Sequence, residues 1–210
     1  MLKKKIKFNS KQIIILALIA LTIAIINTSG LAANNKAEST PIEKAETINM
    51  DANYILFNDV NQLDQAADLI LVGSPTMDFP EREHITTYFG DGAIQDFYTL
   101  TDLKIDKILK GPQDFNLATS QSLKIIEPIG YAKPEKKENK ITREEYSELE
   151  KGEKYIIFLM QNDQGQYVVI NVNNGKFNLN ETEVSFASDS ENVKHEKIKK
   201  EVFSKYKIKE

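Results

Sequence analysis

The chain has no cysteine, no tryptophan and only two histidines among its 210 residues. Without cysteine there is no disulfide, no thiolate metal site and no lipidated cysteine to anchor an exported protein, so any fold must be held by its core alone. With imidazole confined to His84 and His195, metal or acid–base chemistry has few places to start from. Glycine-rich phosphate loops, paired-cysteine sites and calcium-loop spacings are missing as well. Only one apolar run is longer than six residues, Ile13 to Ile26, and Thr22 is its one polar member.

That run is the hydrophobic centre of a leader. Lys3, Lys4, Lys5, Lys7 and Lys11 precede it, and Asn27 and the small-residue stretch "SGLAA" follow. This is the layout of a secretory signal peptide, with cleavage expected after Ala32. The run is shorter than the ~20 residues a spanning helix needs. An uncleaved anchor is the alternative, and it is the only membrane attachment the sequence offers. Either way the bulk of the chain is expected outside the cytoplasm, secreted or in the cell envelope. The leader removes five lysines and no acid, so the formal charge of −4 for the whole chain becomes −9 for the remainder. A domain that acidic is a poor general partner for nucleic acid or anionic lipid.

Residues 33–57 open with a polar, aperiodic stretch, "ANNKAESTPIEKAETINM", and read as a tether. Residues 58–182 carry the structured text. Asp59 or Asn61 can cap a helical turn running to Ala67. Leu69 to Val72 then form an apolar run stopped by Gly73 and Pro75. Gly90-Asp91-Gly92 provides a tight hairpin turn between Ile85–Phe89 and Ile94–Ile108. In the second of these flanks Leu103 and Ile105 share one face while Asp102, Lys104 and Asp106 share the other, a period of two. "SLKIIEPIGY" is a third strand, with Pro128 forcing an edge or bulge. "AKPEKKENK" reads as a solvated loop.

At "ITREEYSEL", Thr142 and Glu145 form a capping box, with Ile141 and Tyr146 as a hydrophobic staple, so a short helix is predicted up to Gly152. A fourth strand, Lys154 to Gln161, includes the unbroken apolar stretch Tyr155–Met160. "NDQG" turns the chain into "QYVVINV", and Asn174-Gly175 predicts a further hairpin. In residues 183–210, Glu191 to Lys207 read as an amphipathic helix with Ile198, Val202, Phe203 and Tyr206 on one stripe. The lysines around that stripe could rest on an anionic surface. The stripe is narrow and lacks tryptophan, and packing on the domain is preferred.

The order strand, long strand, strand, short helix, strand, strand is that of a five- to six-stranded OB-like Greek-key barrel, mainly β with minor α. A β-sandwich is the competing arrangement. The segments "AADLILVGSP", "YTLTDLKIDKILKGP", "LKIIEP" and "LEKGEKYIIFLM" also resemble the netrin-like module of the tissue inhibitors of metalloproteinases, over roughly Ala66 to Val172. The resemblance implies an OB fold and a habit of binding proteins. Those inhibitors place an N-terminal cysteine on the protease zinc, however, and this chain has none. The zinc-blocking function therefore does not carry over, and no functional residue matches.

Candidate chemistry is thin. Asp78, Glu81, Glu83 and His84 cluster in "DFPEREH" and could hold a metal or act as acid and base, but one histidine among scattered acids is the composition of a solvated loop. His195, in a lysine-rich helix, reads as a surface residue. Ser74 in "VGSPT" is not in a nucleophile elbow. Asp102 and Asp106 suit a polar outer face. Asn180-Glu181-Thr182 matches an N-glycosylation acceptor. No catalytic, cofactor or metal residue is assigned. The sequence points to an exported, non-catalytic module that binds a protein or envelope polymer. The alternatives are a proteinase inhibitor acting through the exposed loop Pro75–Asp96, and a hydrolase or metal-dependent enzyme using Asp78–His84.

Overall fold

The computed structural model describes residues 47–52, 55–113, 115, 121–180 and 188–208. The leader, its cleavage point and residues 33–46 lie outside the described residues, as do Glu181 and Thr182 of the acceptor pattern.

Asp59 caps the first helix, α1 (Val60–Ala66), by accepting from the amides of Asn61 and Gln62. Strand β2 (Leu69–Pro75) follows; β1 (Ile48–Met50) comes before, within the stretch read as tether. A hairpin of β3 (Glu83–Tyr88) and β4 (Ile94–Lys110) turns at Gly92, whose φ of 86° is the left-handed geometry the turn motif requires. β4 alternates buried Leu103 and Ile105 with solvated Lys104 and Asp106, as its period of two predicts.

Pro128 divides the third strand. β5 (Ser122–Glu127) stays in the barrel, and β6 (Ile129–Lys133) leaves it to pair with β7 (Glu138–Arg143). β8 (Tyr155–Gln161), β9 (Tyr167–Val169), β10 (Lys176–Asn178) and α2 (Asp189–Tyr206) complete the chain.

Barrel closure is explicit in the pairing. β2 pairs β4, β4 pairs β5, β5 runs parallel to β9, β9 pairs β8, and β8 returns to β2. This five-membered ring has the OB-type order, and it excludes the open sandwich. A small second sheet, β1–β7–β6, stands beside it.

The unbroken apolar stretch of β8 is hidden on both faces. Tyr155, Ile157 and Leu159 point into the barrel with Leu69, Leu71, Leu103, Ile105, Ile125 and Val169. Ile156 and Phe158 point outward and are covered by Val60 and Leu63 of α1 and by Ile198, Val202 and Phe203 of α2. Burying a large aliphatic or aromatic side chain contributes about 1.5–3 kcal/mol, so these two layers are sufficient to hold a fold without disulfides.

Two local expectations are overturned. No helix forms between the third and fourth barrel strands. Glu144 and Glu145 both take left-handed φ values, 49° and 55°, which a right-handed helix cannot contain. Thr142 lies in β7, and its hydroxyl donates to the Tyr146 carbonyl at 2.6 Å instead of capping. The short helix of the fold, α1, precedes the first barrel strand. Asn174-Gly175 likewise makes no two-residue hairpin. The chain from Val172 to Gly175 is a 3-10 turn, and β10 pairs with β8 rather than with β9.

Candidate functional site

β9 and β10 share one edge of β8. β9 pairs with Leu159 to Gln161 and β10 with Tyr155 to Ile157, so they are two halves of one strand interrupted by residues 170–175. The interruption is polar yet buried: Asn171, Asn173 and Asn174 are all shielded from solvent, as is Lys176 at the start of β10. Asn171 and Val172 have φ values of 58° and 54°, and a β-branched residue in that region is a genuine conformational outlier. Gly175 is needed where the loop folds back, because a Cβ there would sit 1.6 Å from the Ile170 carbonyl oxygen.

Each amide in this loop has a structural task. Asn171 Oδ1 accepts from the Phe57 amide at 2.8 Å, and its Nδ2 donates to the Phe57 and Asn174 carbonyls. Asn173 Oδ1 accepts from both the amide and the hydroxyl of Ser147 at 3.0 Å, and its Nδ2 donates to the Glu145 carbonyl. Asn174 Oδ1 meets His195 Nδ1 of α2 at 3.0 Å. The Glu145 amide, in turn, donates to Oδ1 of Asn49 in β1.

These bonds bring three separated segments and the start of α2 around one cavity of about 330 Å³, lined by Asn49, Asp51, Leu56, Glu144, Glu145, Asn171, Val172, Asn173, Asn174 and Glu191. Four of the non-glycine residues with left-handed backbone, Glu144, Glu145, Asn171 and Val172, line it. Each such residue costs on the order of 1–3 kcal/mol, and strain of this kind gathers where a shape is required for function.

Behind the cavity wall lies a second polar layer. Lys176 is 2% exposed, its Nζ donates to Ser147 Oγ at 3.2 Å, and it stands over the rings of Tyr146 and Tyr155 at 4.9 and 5.7 Å. Burial lowers its pKa to about 8, with Glu127, Glu148 and Glu150 opposing the shift. Burial also raises Tyr155 to about 12 and pushes Tyr146 well above the ordinary phenol value. Tyr146 donates to Glu127 Oε2 at 2.9 Å. Glu127 accepts further from the Leu149 amide, Thr101 Oγ1 and Arg82 Nη1, so its carboxylate is saturated inside the barrel. Through Tyr146 and Leu149 it fixes the turn that presents Glu144 and Glu145.

The residues singled out from sequence are not brought together. Asp78 pairs with Lys151 at 2.9 Å and Glu83 with Lys124 at 3.5 Å, while Glu81 is exposed on a separate turn. Both ring nitrogens of His84 are occupied, Nδ1 with Thr99 Oγ1 and Nε2 with the Phe79 carbonyl, each at 2.9 Å. Burial holds its pKa below the ordinary value, with Arg82, Lys137 and Lys140 adding to the shift. Ser74 sits in β2 opposite Lys104. Asp102 and Asp106 pair with Lys124 and Lys154 on the outer face. Within the loop Pro75–Asp96, Tyr88 and Phe89 are exposed at the hairpin tip.

His195 is corrected outright: it is 4% exposed and stacks on Phe177 with ring centroids 5.0 Å apart. Position in a lysine-rich helix concealed this, although residues 195, 198 and 202 fall on one helical stripe. Sequence reading also missed the "NVNNGK" loop, because asparagine and glycine signal turns without saying whether a turn is buried. Among the described residues, no three His, Asp or Glu side chains are grouped as a metal site needs. No helix of the described residues is long and apolar enough to cross a membrane.

No known family profile matches the chain, and no curated protein matches it.

Proposed function

We propose that the protein is an exported, non-catalytic binding module of the OB type that takes part of a protein or envelope polymer into the cavity between the 144–147 turn and the 171–174 loop. The leader motivates export. The single observation that carries the binding site is the convergence of two pairs of left-handed, non-glycine residues on the same cavity. A fold that tolerates such strain at Glu144, Glu145, Asn171 and Val172 maintains that shape against its own backbone preference. The volume lies at the small end of ligand pockets, about 300–1,000 Å³, and suits one residue of a polymer rather than a whole macromolecular surface. The netrin-like resemblance supports the same class of activity, binding without turnover.

The test is a paired screen of glycan and peptide libraries with the wild type and with Leu56→Arg, which places a long charged side chain at the half-open mouth without disturbing the core. Ligands retained by the wild type and lost by the variant are expected. Ligands held equally by both, or hydrolysis of any library member, would overturn the reading.

A second reading, inhibition of an extracellular proteinase, is favoured by one observation. The β3–β4 hairpin exposes Tyr88 and Phe89 at its tip, and the Tyr88 hydroxyl braces that tip against the Ala132 carbonyl. Titration against metallo- and serine proteinases, with Phe89→Ala as control, separates it from the first.

A further inference from the structure

We infer that Ser147 is a nucleophile that captures the acyl group of an activated ester, with Lys176 as its general base. The capture is stoichiometric, so it adds a covalent function to a module that binds without turnover.

Geometry sets the pair. Lys176 Nζ lies 3.2 Å from Ser147 Oγ, within the reach a base needs to take a hydroxyl proton. The rings of Tyr146 and Tyr155 flank the amine at 4.9 and 5.7 Å and fix its direction. Ser147 is partly exposed, whereas Lys176 is 2% exposed, so the nucleophile is reachable and the base is sheltered behind it.

The amine also lacks a counter-ion. Of the carboxylates whose charge acts on it, Glu127 pairs with Arg82 at 2.8 Å and Glu148 with Lys140 at 2.6 Å. A buried lysine in that position gives up its proton readily, and burial brings this one to about 8. Roughly one molecule in ten then holds the free base at pH 7.

While Lys176 is protonated, Nζ donates to Ser147 Oγ and the hydroxyl donates to Asn173 Oδ1 at 3.0 Å. Loss of the proton gives Nζ a lone pair, the hydroxyl turns to it, and Asn173 Oδ1 keeps the Ser147 amide. Oγ attacks the carbonyl carbon as Nζ takes the hydroxyl proton, and the Oγ–C bond forms. The intermediate collapses by breaking the bond from that carbon to the leaving oxygen, to which Lys176 returns the proton. An alcohol or phenol departs and Ser147 carries an ester. The Ser147 amide is occupied by Asn173 and does not steady the carbonyl oxyanion, so the donor must bring a good leaving group, as an aryl ester does. Bulk water does not reach the sheltered amine, so the serine ester accumulates.

The experiment treats the full chain with p-nitrophenyl acetate from about pH 6 to about pH 10 and locates acetyl groups by peptide mass spectrometry. One hydroxylamine-sensitive acetyl ester on Ser147 is expected, forming at a rate that climbs to a plateau above about pH 8. The urea-unfolded chain should leave Ser147 unlabelled. Lys176→Met, checked for folding by its melt, is expected to slow the labelling at least about 100-fold. Steady release of p-nitrophenol should not exceed that of Ser147→Ala. The absence of an ester at Ser147, acetylation of Lys176 in its place, an equal rate in folded Lys176→Met, or a rate that keeps climbing in proportion to hydroxide would each overturn the assignment. Steady release above that of Ser147→Ala would overturn stoichiometric capture. None of the first four results touches the cavity reading, which the Leu56→Arg screen tests through reversible binding.

Discussion

Arg82 and Glu127 meet at 2.8 Å inside the barrel, their side chains 1% and 0% exposed. The pair is completed rather than merely close. Arg82 donates to the Met77 and Leu149 carbonyls as well, and Glu127 accepts from Thr101, Tyr146 and Leu149. One ion pair thus ties the loop after β2, the end of β5 and the turn before β8 into one body.

Removing one partner strands the other. Arg82→Met or Glu127→Gln is expected to destabilise the fold by about 3–5 kcal/mol in urea unfolding, because a buried charge is left uncompensated. The double variant Arg82→Met/Glu127→Gln, which removes both charges yet keeps an acceptor oxygen for the buried donors around it, should recover much of that loss. A double variant worse than either single would refute the assignment.

Lys176 gives a stability change of defined sign. Its amine titrates near 8 in the fold and at the ordinary 10.5 when unfolded. As pH falls from 10.5 to about 8, the unfolded chain gains a proton that the folded chain refuses, so stability declines and then levels off. The full effect is on the order of 3 kcal/mol. Above pH 10 the raised phenols Tyr155 and Tyr206 act in the opposite direction, so the clean window is pH 8 to 10. Denaturant midpoints should rise across it in the wild type and stay flat in Lys176→Met.

His84 acts at lower pH. Its folded pKa lies below 6.5, so the unfolded chain protonates first and stability falls as pH drops from 6.5 toward the lowered value. Melting curves of His84→Gln should lose this dependence between about pH 6.5 and 5.5, before the carboxylates begin to titrate.

Glu145 separates stability from binding. Its φ of 55° is left-handed, its side chain is exposed, and its backbone bonds to Asn49 and Asn173 do not need that side chain. Glu145→Gly should therefore raise stability by about 1 kcal/mol. The same change removes a carboxylate from the cavity and should weaken ligand binding. Thermal melts and titrations on one sample check both halves.

Gly175→Ala is the contrasting change. The added methyl collides with the Ile170 carbonyl, so the loop must open at a cost of at least about 2 kcal/mol, and the amide shifts of Asn171 and Asn173 should move with it. A variant with wild-type stability and shifts would show that the fold-back is not tight.

The elements that could be read in advance were those whose signal is periodic. β4 and α2 announce which face is buried, and β8 announces that both are. The turn after β7 could not be read in this way. Thr142 and Glu145 carry a sound local helix signal, but Tyr146 and Leu149 gain more by reaching Glu127, nineteen and twenty-two residues earlier in the chain. The cavity was illegible for a related reason. Asn171, Asn173 and Asn174 are buried only because Phe57, Ser147 and His195 arrive from distant parts of the sequence. Nothing in "NVNNGK" foretells those visitors.

Because β9 and β10 are one strand cut in two, the six residues between them join the cylinder's hydrogen-bonded frame only at the Ile170 amide, which among the described residues donates to the Phe158 carbonyl at 3.2 Å. Specificity and architecture are therefore written in separable stretches of chain. Lengthening, shortening or rewriting that inset could redirect what the protein recognises while the staves on either side keep their register.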